Sequence, residues 1–158
     1  MFTIRLAGLD DFETYIRLYL RINDEHAAAH PELFRPTQLS PHTREEFAAL
    51  LADPAHGIFV AELEGRSVAF VHIVVRDALP LPILTPRRFA VIDAISVDPA
   101  CQRQGMGRAL MDHAESWART QGVQEVELNA FSFNRAALQL YAELGYHPLS
   151  QRMRKPLD

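Results

Sequence analysis

Residues 2–6 alternate apolar and polar side chains, which predicts a strand with Phe2, Ile4 and Leu6 on one face. The period then lengthens. Phe12, Ile16, Tyr19 and Leu20 recur at helical spacing behind Asp10 and Glu13, a pair of capping-box type, so a helix is expected over residues 10–30, stopped by Pro31. Ser40-Pro41 reads as the cap and first residue of a second helix, with Phe47, Leu50 and Leu51 as its apolar stripe.

Residues 57–62 and 67–75 read as strands joined by a hairpin at Glu64-Gly65-Arg66. Both faces of the second are apolar, with Val68, Phe70 and Val74 on one and Ala69, Val71, Ile73 and Val75 on the other. Such a strand belongs in the middle of a sheet. His72 shares the Phe70 face, as either a core histidine with its polar atoms satisfied or a cleft residue able to take a proton near neutral pH. Residues 79–86 hold three prolines, too many for a strand interior, and form an apolar loop covering a substrate mouth or a subunit interface.

An apolar strand over residues 89–97 follows, then Asp98-Pro99 and a loop with Gly105 and Gly107 that opens into a helix carrying Leu110, Ala114 and Trp117. Gly122 is a good residue to end that helix, and Val126, Leu128 and Ala130 alternate as the next strand. Strand, right-handed crossover helix and strand make a parallel pair, which sets the glycine loop at the carboxyl end of its strand, where open α/β sheets hold ligands.

That loop has the properties of an anion site. The first N–H groups of a helix lack intrahelical acceptors and carry the positive end of the macrodipole. Gly105 and Gly107 let a diphosphate approach the main chain and allow positive φ. A P-loop is excluded because no Lys-Ser/Thr follows, and a dinucleotide fingerprint lacks its third glycine and distal acid.

Gln102, Gly105 and Gly107, behind Val97 and Pro99, resemble the acetyl-coenzyme A site of the GCN5-related N-acetyltransferases, Gln/Arg-x-x-Gly-x-Gly/Ala after Val-x-Pro. Asn134, Ala137, Tyr141, Gly145 and Tyr146 resemble the same family's second signature. Taken by themselves, Asn134 is a helix cap and Ala137, Tyr141 and Leu144 a buried stripe. The resemblance covers residues 57–147 well and the N-terminal third in its order of elements.

The resemblance implies one acetyltransferase domain over residues 1–158: an α/β fold with a central mixed sheet of six to seven strands, helices on both faces and closing strands within residues 146–156. Acetyl-coenzyme A (coenzyme A) would be the cofactor, held by main-chain groups of Ile95, Ser96 and Val97, which pair with the pantetheine like an added strand where the parallel strands splay. The diphosphate would lie on Gln102, Arg103, Gln104, Gly105, Met106, Gly107 and Arg108. Asn134 and Ala137 would meet the pantetheine.

Acyl transfer to an amine needs a neutral amine, an oxyanion donor and a proton for the departing thiolate. The resemblance gives the last role to Tyr141. Asp93, an acid in an apolar strand and on the same pleat as Ile95 and Val97, must face the cleft or have a partner. It is either the base or ammonium anchor, or half of a structural ion pair. Where several relatives carry a catalytic Glu this chain has Asn129, no base, which leaves Asp93, His72 or a water chain and keeps Asn129 as an acceptor contact. By the same resemblance His26, His30 and Phe34 rim the acceptor cleft. His26 and His30 also have metal-ligand spacing, but no third ligand is evident in the sequence, so no metal is expected.

Composition narrows these readings little. The 158 residues are 48% hydrophobic and 23% charged, ordinary globular values. A net charge of −4 disfavours general nucleic-acid binding. Cys101, the single cysteine, reads as a small filler; it permits no intrachain disulfide and fits a reducing compartment. Neither a leader pattern nor a long apolar run is present, so a cytoplasmic protein away from membranes is expected. The function expected is N-acetylation of a primary amine on a small molecule or a protein. The alternative is a silent acyl-coenzyme A sensor or interaction domain. The resemblance also implies a homodimer, common in the family, which here would use the proline-rich loop or the last strands.

Overall fold

The computed structural model describes residues 1–157. Its elements run β1 (Phe2–Leu6), α1 (Phe12–Ala29), α2 (Arg44–Ala52), β2 (His56–Leu63), β3 (Arg66–Asp77), β4 (Arg88–Val97), α3 (Met106–Thr120), β5 (Val126–Leu128) and α4 (Arg135–Glu143). The strands form one sheet in the order β1-β2-β3-β4-β5. All neighbours are antiparallel except β4 and β5, which are parallel.

The helix starts lie where backbone donors find acceptors, which differs from the expected caps. The N–H of Gly8 donates to Asp11 Oδ2 at 2.8 Å and opens a single 3-10 turn that leads into α1, so Asp11 replaces the expected Asp10/Glu13 pair. Asp11 is nearly inaccessible, yet Arg5 donates to both carboxylate oxygens, at 2.8 and 3.0 Å, and Ser67 adds a third contact. Burial would raise its pKa, but those donors outweigh it and hold the carboxyl below the usual range. The second helix begins at Thr43 rather than Ser40: the N–H of Glu46 donates to Thr43 Oγ1 and the N–H of Thr43 to Glu46 Oε2, at 3.1 and 2.7 Å. That reciprocal pair satisfies two donors, whereas the Ser40 hydroxyl is turned to the carbonyl of His42.

The sheet separates two cores. On one face, Phe59, Val71, Ile73, Ala90 and Ile92 pack against Leu110, Met111 and Ala114 of α3 and Tyr141 of α4. On the other, Phe70, Val60 and Ile58 pack against Tyr15 and Leu18 of α1 and Phe47 of α2. Burying each such large side chain contributes roughly 1.5–3 kcal/mol. As its two apolar faces predicted, β3 lies in the middle, buried from Ala69 to Val75. Leu6, at the end of the face it shares with Phe2 and Ile4, is 63% exposed.

Two expectations about the sheet are corrected. Among the described residues it has five strands, not six to seven, and no closing strand forms over residues 146–156, which are exposed almost throughout and carry Pro148 and Pro156. The pleat of β4 also reverses. His72 pairs with Ala94 and Ile73 with Ile92, so Asp93 is left without a partner in a β-bulge. Before it, Ala90 and Ile92 face α3; after it, Ala94 faces α1 while Ile95 and Val97 pack on the α3 side. Asp93 therefore points away from Ile95 and Val97, toward His72.

Candidate active site

Pairing between β4 and β5 runs over Ala90–Val126, Val91–Glu127 and Ile92–Leu128 and stops at the bulge. Beyond it Ile95, Ser96 and Val97 keep their β3 partners but have no β5 partner. The exposed Asn129 lies just past β5. The strands thus separate at their carboxyl ends, and this opening points toward the start of α3.

The connection there is built locally. Asp98 Oδ1 accepts from the N–H of Ala100 at 3.2 Å, turning the chain through Pro99–Cys101. Arg103 has φ 60° and Gly105 φ 82°, both left-handed. A Cβ on Gly105 would meet nothing within 4 Å, so the glycine answers a backbone demand rather than a lack of space. On Gly107 a Cβ would lie 3.4 Å from Leu140 Cδ2, an ordinary contact with the tip of a flexible side chain. No side chain caps α3, which leaves its first donors, around Met106, Gly107 and Arg108, to solvent or a ligand. Arg108 pairs with Glu143 of α4. Gln102 Nε2 donates to the carbonyl of Val97 at 3.3 Å, and the Arg21 guanidinium, from α1, donates to the same oxygen.

Of the second signature, Asn134 caps α4, accepting from the N–H of Ala137 at 3.2 Å. Tyr141 is 9% exposed, and burial pushes its hydroxyl pKa up, so it stays protonated near neutrality. No described residue hydrogen-bonds that hydroxyl, and no buried polar atom among the described residues is without a partner. It therefore reaches the protein surface, while Tyr146 beside it donates to Glu115 at 2.9 Å.

The residues expected at the acceptor side form two groups. His26, His30 and Phe34 join Phe131 and Phe133 of the β5–α4 connection in an aromatic cluster; His26 stands edge-on to Phe34, Phe131 and Phe133 at 5.3, 4.9 and 5.5 Å. Nδ1 of His26 is engaged with the carbonyl of Ile22, and among the described residues no three His, Cys, Asp or Glu converge as metal ligands. The second group surrounds the bulge. Asp93, its side chain 34% exposed, lies 3.7 Å from Nδ1 of the buried His72 and 3.5 Å from Arg76. His72 is a core histidine with partners, and burial pushes its pKa down to about 4 against an opposing pull from Asp93.

The sequence reading missed Phe131, Phe133, Arg21, Tyr15 and His56. His56 could not be found from the turn at Glu64-Gly65, whose register would pair Gly57 with His72; a bulge between Ala61 and Glu62 shifts the pairing by one, so that Ile58 pairs with His72 and His56 becomes its diagonal neighbour. Arg21 carried no signal, being one more charged residue on an amphipathic helix. A groove of about 570 Å³ opens elsewhere, between Arg5, Arg17, Arg66 and Cys101; it excludes the α3 start and its charges are largely paired.

A profile of the acetyltransferase (GNAT) family matches residues 19–146 of this chain. An uncharacterized N-acetyltransferase of Methanocaldococcus jannaschii is 28% identical over 145 residues, which is 92% of this chain and 60% of that protein. A mycothiol acetyltransferase of Thermomonospora curvata is 33% identical over 131 residues, 81% of this chain and 39% of that protein. The chain thus spans 60% or less of the length of these two relatives. The crystal structure of a point mutant of the BH1408 protein from Bacillus halodurans superposes with a TM-score of 0.89 at 25% identity, covering 98% of this chain and 99% of that one.

Proposed function

The chain belongs to the acetyltransferase (GNAT) family, and from that membership we propose that it moves an acetyl group from acetyl-coenzyme A to a primary amine of a small molecule or a protein. The carrying observation is one coincidence of position. The uncapped start of α3, held open by left-handed Gly105, faces the same end of the sheet at which the Asp93 bulge parts β4 from β5.

The residues there fit the cofactor by their chemistry. Main-chain donors around Gln102, Arg103 and Gln104 and from Gly105 to Arg108 suit a diphosphate. The free edge of Ile95, Ser96 and Val97 suits an extended amide-bearing arm, with the Asn134 amide and Ala137 beside it. When bound, acetyl-coenzyme A supplies a thioester carbonyl activated toward amines.

Asp93 then holds the acceptor ammonium by charge and takes its proton, so that the nitrogen attacks as a free amine. Tyr141, whose burial further favours the protonated hydroxyl, keeps a proton for the leaving sulfur. His26, His30 and Phe34, with Phe131 and Phe133, wall the acceptor entrance, and Asn129 offers it an amide. His72 lies behind Asp93 rather than against the acceptor.

Among the described residues no helix is long and apolar enough to cross a membrane. A cytoplasmic setting suits the lone Cys101, and the exposed Leu79, Leu81 and Ile83 of the proline-rich loop suit a homodimer contact.

Calorimetric titration with acetyl-coenzyme A and coenzyme A, together with thiol release over a panel of amines, tests this reading. Binding of both with turnover on an amine is expected. Binding without turnover on any amine favours the sensor role, and no binding removes the anion-site argument.

A further inference from the structure

Behind Asp93 a line of polar side chains crosses the sheet to the surface. His72 Nδ1 lies 3.7 Å from Asp93 Oδ2 and 3.5 Å from the Tyr15 hydroxyl. Its other nitrogen, Nε2, lies 2.8 Å from His56 Nδ1. His56 Nε2 lies 3.9 Å from Asp53 Oδ2, and both of those side chains are open to solvent, at 21% and 50%. Two imidazoles in direct contact must share one proton between them, one donating and the other accepting. In one tautomer the Tyr15 O–H donates to His72 Nδ1, the His72 Nε2–H to His56 Nδ1, and the His56 Nε2–H faces Asp53, which leaves the contact between His72 Nδ1 and Asp93 without a proton until Asp93 gains one.

We propose that Asp93, His72 and His56 form a proton relay that carries the proton taken from the acceptor amine to solvent at Asp53. The proposal rests on the acetyltransferase reading. The balance is simple. The ammonium N–H breaks and Asp93 gains the proton; Asp93 then gives a proton to His72 Nδ1 as His72 Nε2–H passes to His56 Nδ1. His56 Nε2–H leaves to water beside Asp53, so one proton enters, one leaves, and His72 ends neutral in the other tautomer until the imidazoles turn over. His72 and His56 are positioning residues that act through Asp93.

The surroundings suit a carrier that stays neutral between transfers. The groups facing His72 are Tyr15 from α1, His42 from the α1–α2 connection, His56 from β2, Asp93 from β4 and Arg76 from its own strand, and Tyr19 of α1 acts on Asp93. Three of these, His42, His56 and Arg76, oppose a positive charge on His72, and burial opposes it most. Asp93, unpaired in the bulge, stands on the His72 face of the sheet, opposite the α3 face of Ala90 and Ile92.

The test has two readouts. In the wild-type protein with ¹⁵N-histidine, magnetic resonance is expected to show His72 neutral, its Nε2 protonated, with nitrogen–nitrogen coupling to His56 Nδ1 across the hydrogen bond. A His72 protonated on Nδ1, or no coupling, overturns the relay whatever the activity. In the His56→Ala variant, amine-dependent turnover in dilute buffer is expected to fall at least about ten-fold and to recover in proportion to added imidazole free base. Loss that imidazole does not restore means a merely structural His56 and overturns the relay too. Coupling present in a protein that acetylates no amine overturns the acetyltransferase reading instead.

Discussion

Gly57 lies against the indole of Trp117: a Cβ built on it would stop 3.0 Å from Cδ2 and Cε2 of that ring and from Cε2 of Phe59. The glycine in β2 is thus what allows α3 to settle on the sheet at its Trp117 end. Neither a ring nor a strand backbone yields easily, so Gly57→Ala is expected to destabilise the fold by about 1–3 kcal/mol. Urea denaturation measures it, and an unchanged midpoint would show that α3 can slide.

Gly105 makes a different demand, since space is available but φ is 82°. Alanine there faces a left-handed strain of about 1–2 kcal/mol. Relief by rotating the peptide would turn the first α3 donors away from their target. Gly105→Ala is expected to weaken coenzyme A binding by about five- to ten-fold, read by calorimetry, with the melting temperature lowered in parallel.

Tyr141→Phe separates chemistry from binding. Its hydroxyl has no described protein partner, so its loss is expected to change stability by less than about 0.5 kcal/mol and to leave the coenzyme A dissociation constant nearly unchanged. Turnover is expected to fall by about a hundred-fold. A variant turning over at the wild-type rate at every pH takes Tyr141 out of the mechanism.

Asp93→Asn keeps the shape of the bulge residue and removes its charge. The expected result is a fall in kcat/KM of about a hundred-fold and a changed pH–rate profile. If the wild-type profile is kept, the amine proton goes elsewhere.

The acid stability of the protein follows from His72. Its folded pKa of about 4 lies below the usual 6.5 because burial disfavours the imidazolium. Below pH 6.5 the unfolded chain takes up a proton that the native protein refuses, so stability present above 6.5 is lost as pH falls toward 4. The urea midpoint is therefore expected to decline across that window in the wild type, and more gently in His72→Gln.

The two glycine-and-amide signatures were readable because each is a local sequence with a local job. Gly105 turns the backbone and Asn134 caps a helix, and neither needs the rest of the fold to explain it. The central place of β3 was readable from its two apolar faces. Asp93 was misplaced because a bulge leaves no mark in an alternating strand: the parity of 89–97 looks regular until the partner strand is laid beside it. The start of α2 went to Ser40-Pro41 because proline is a strong signal, but the reciprocal Thr43–Glu46 bonds win in the folded chain. Closing strands were expected from family resemblance alone, with no alternation behind them. The aromatic cluster depends on α1 meeting the β5–α4 connection, about a hundred residues apart in sequence, and contacts at that range have no periodicity to betray them.

The carbonyl of Val97 is already in use, since the Arg21 guanidinium from α1 and the Gln102 amide both donate to it. Any extended chain that docks along this edge of β4 and claims that oxygen therefore exchanges one hydrogen bond for another instead of adding one. The displaced guanidinium is not stranded, because Glu25 lies one helical turn along and already holds its other nitrogen. Arg21 can therefore release the Val97 carbonyl at little cost while Glu25 keeps hold of the guanidinium, so the grip on a molecule docked there must come mostly from the start of α3.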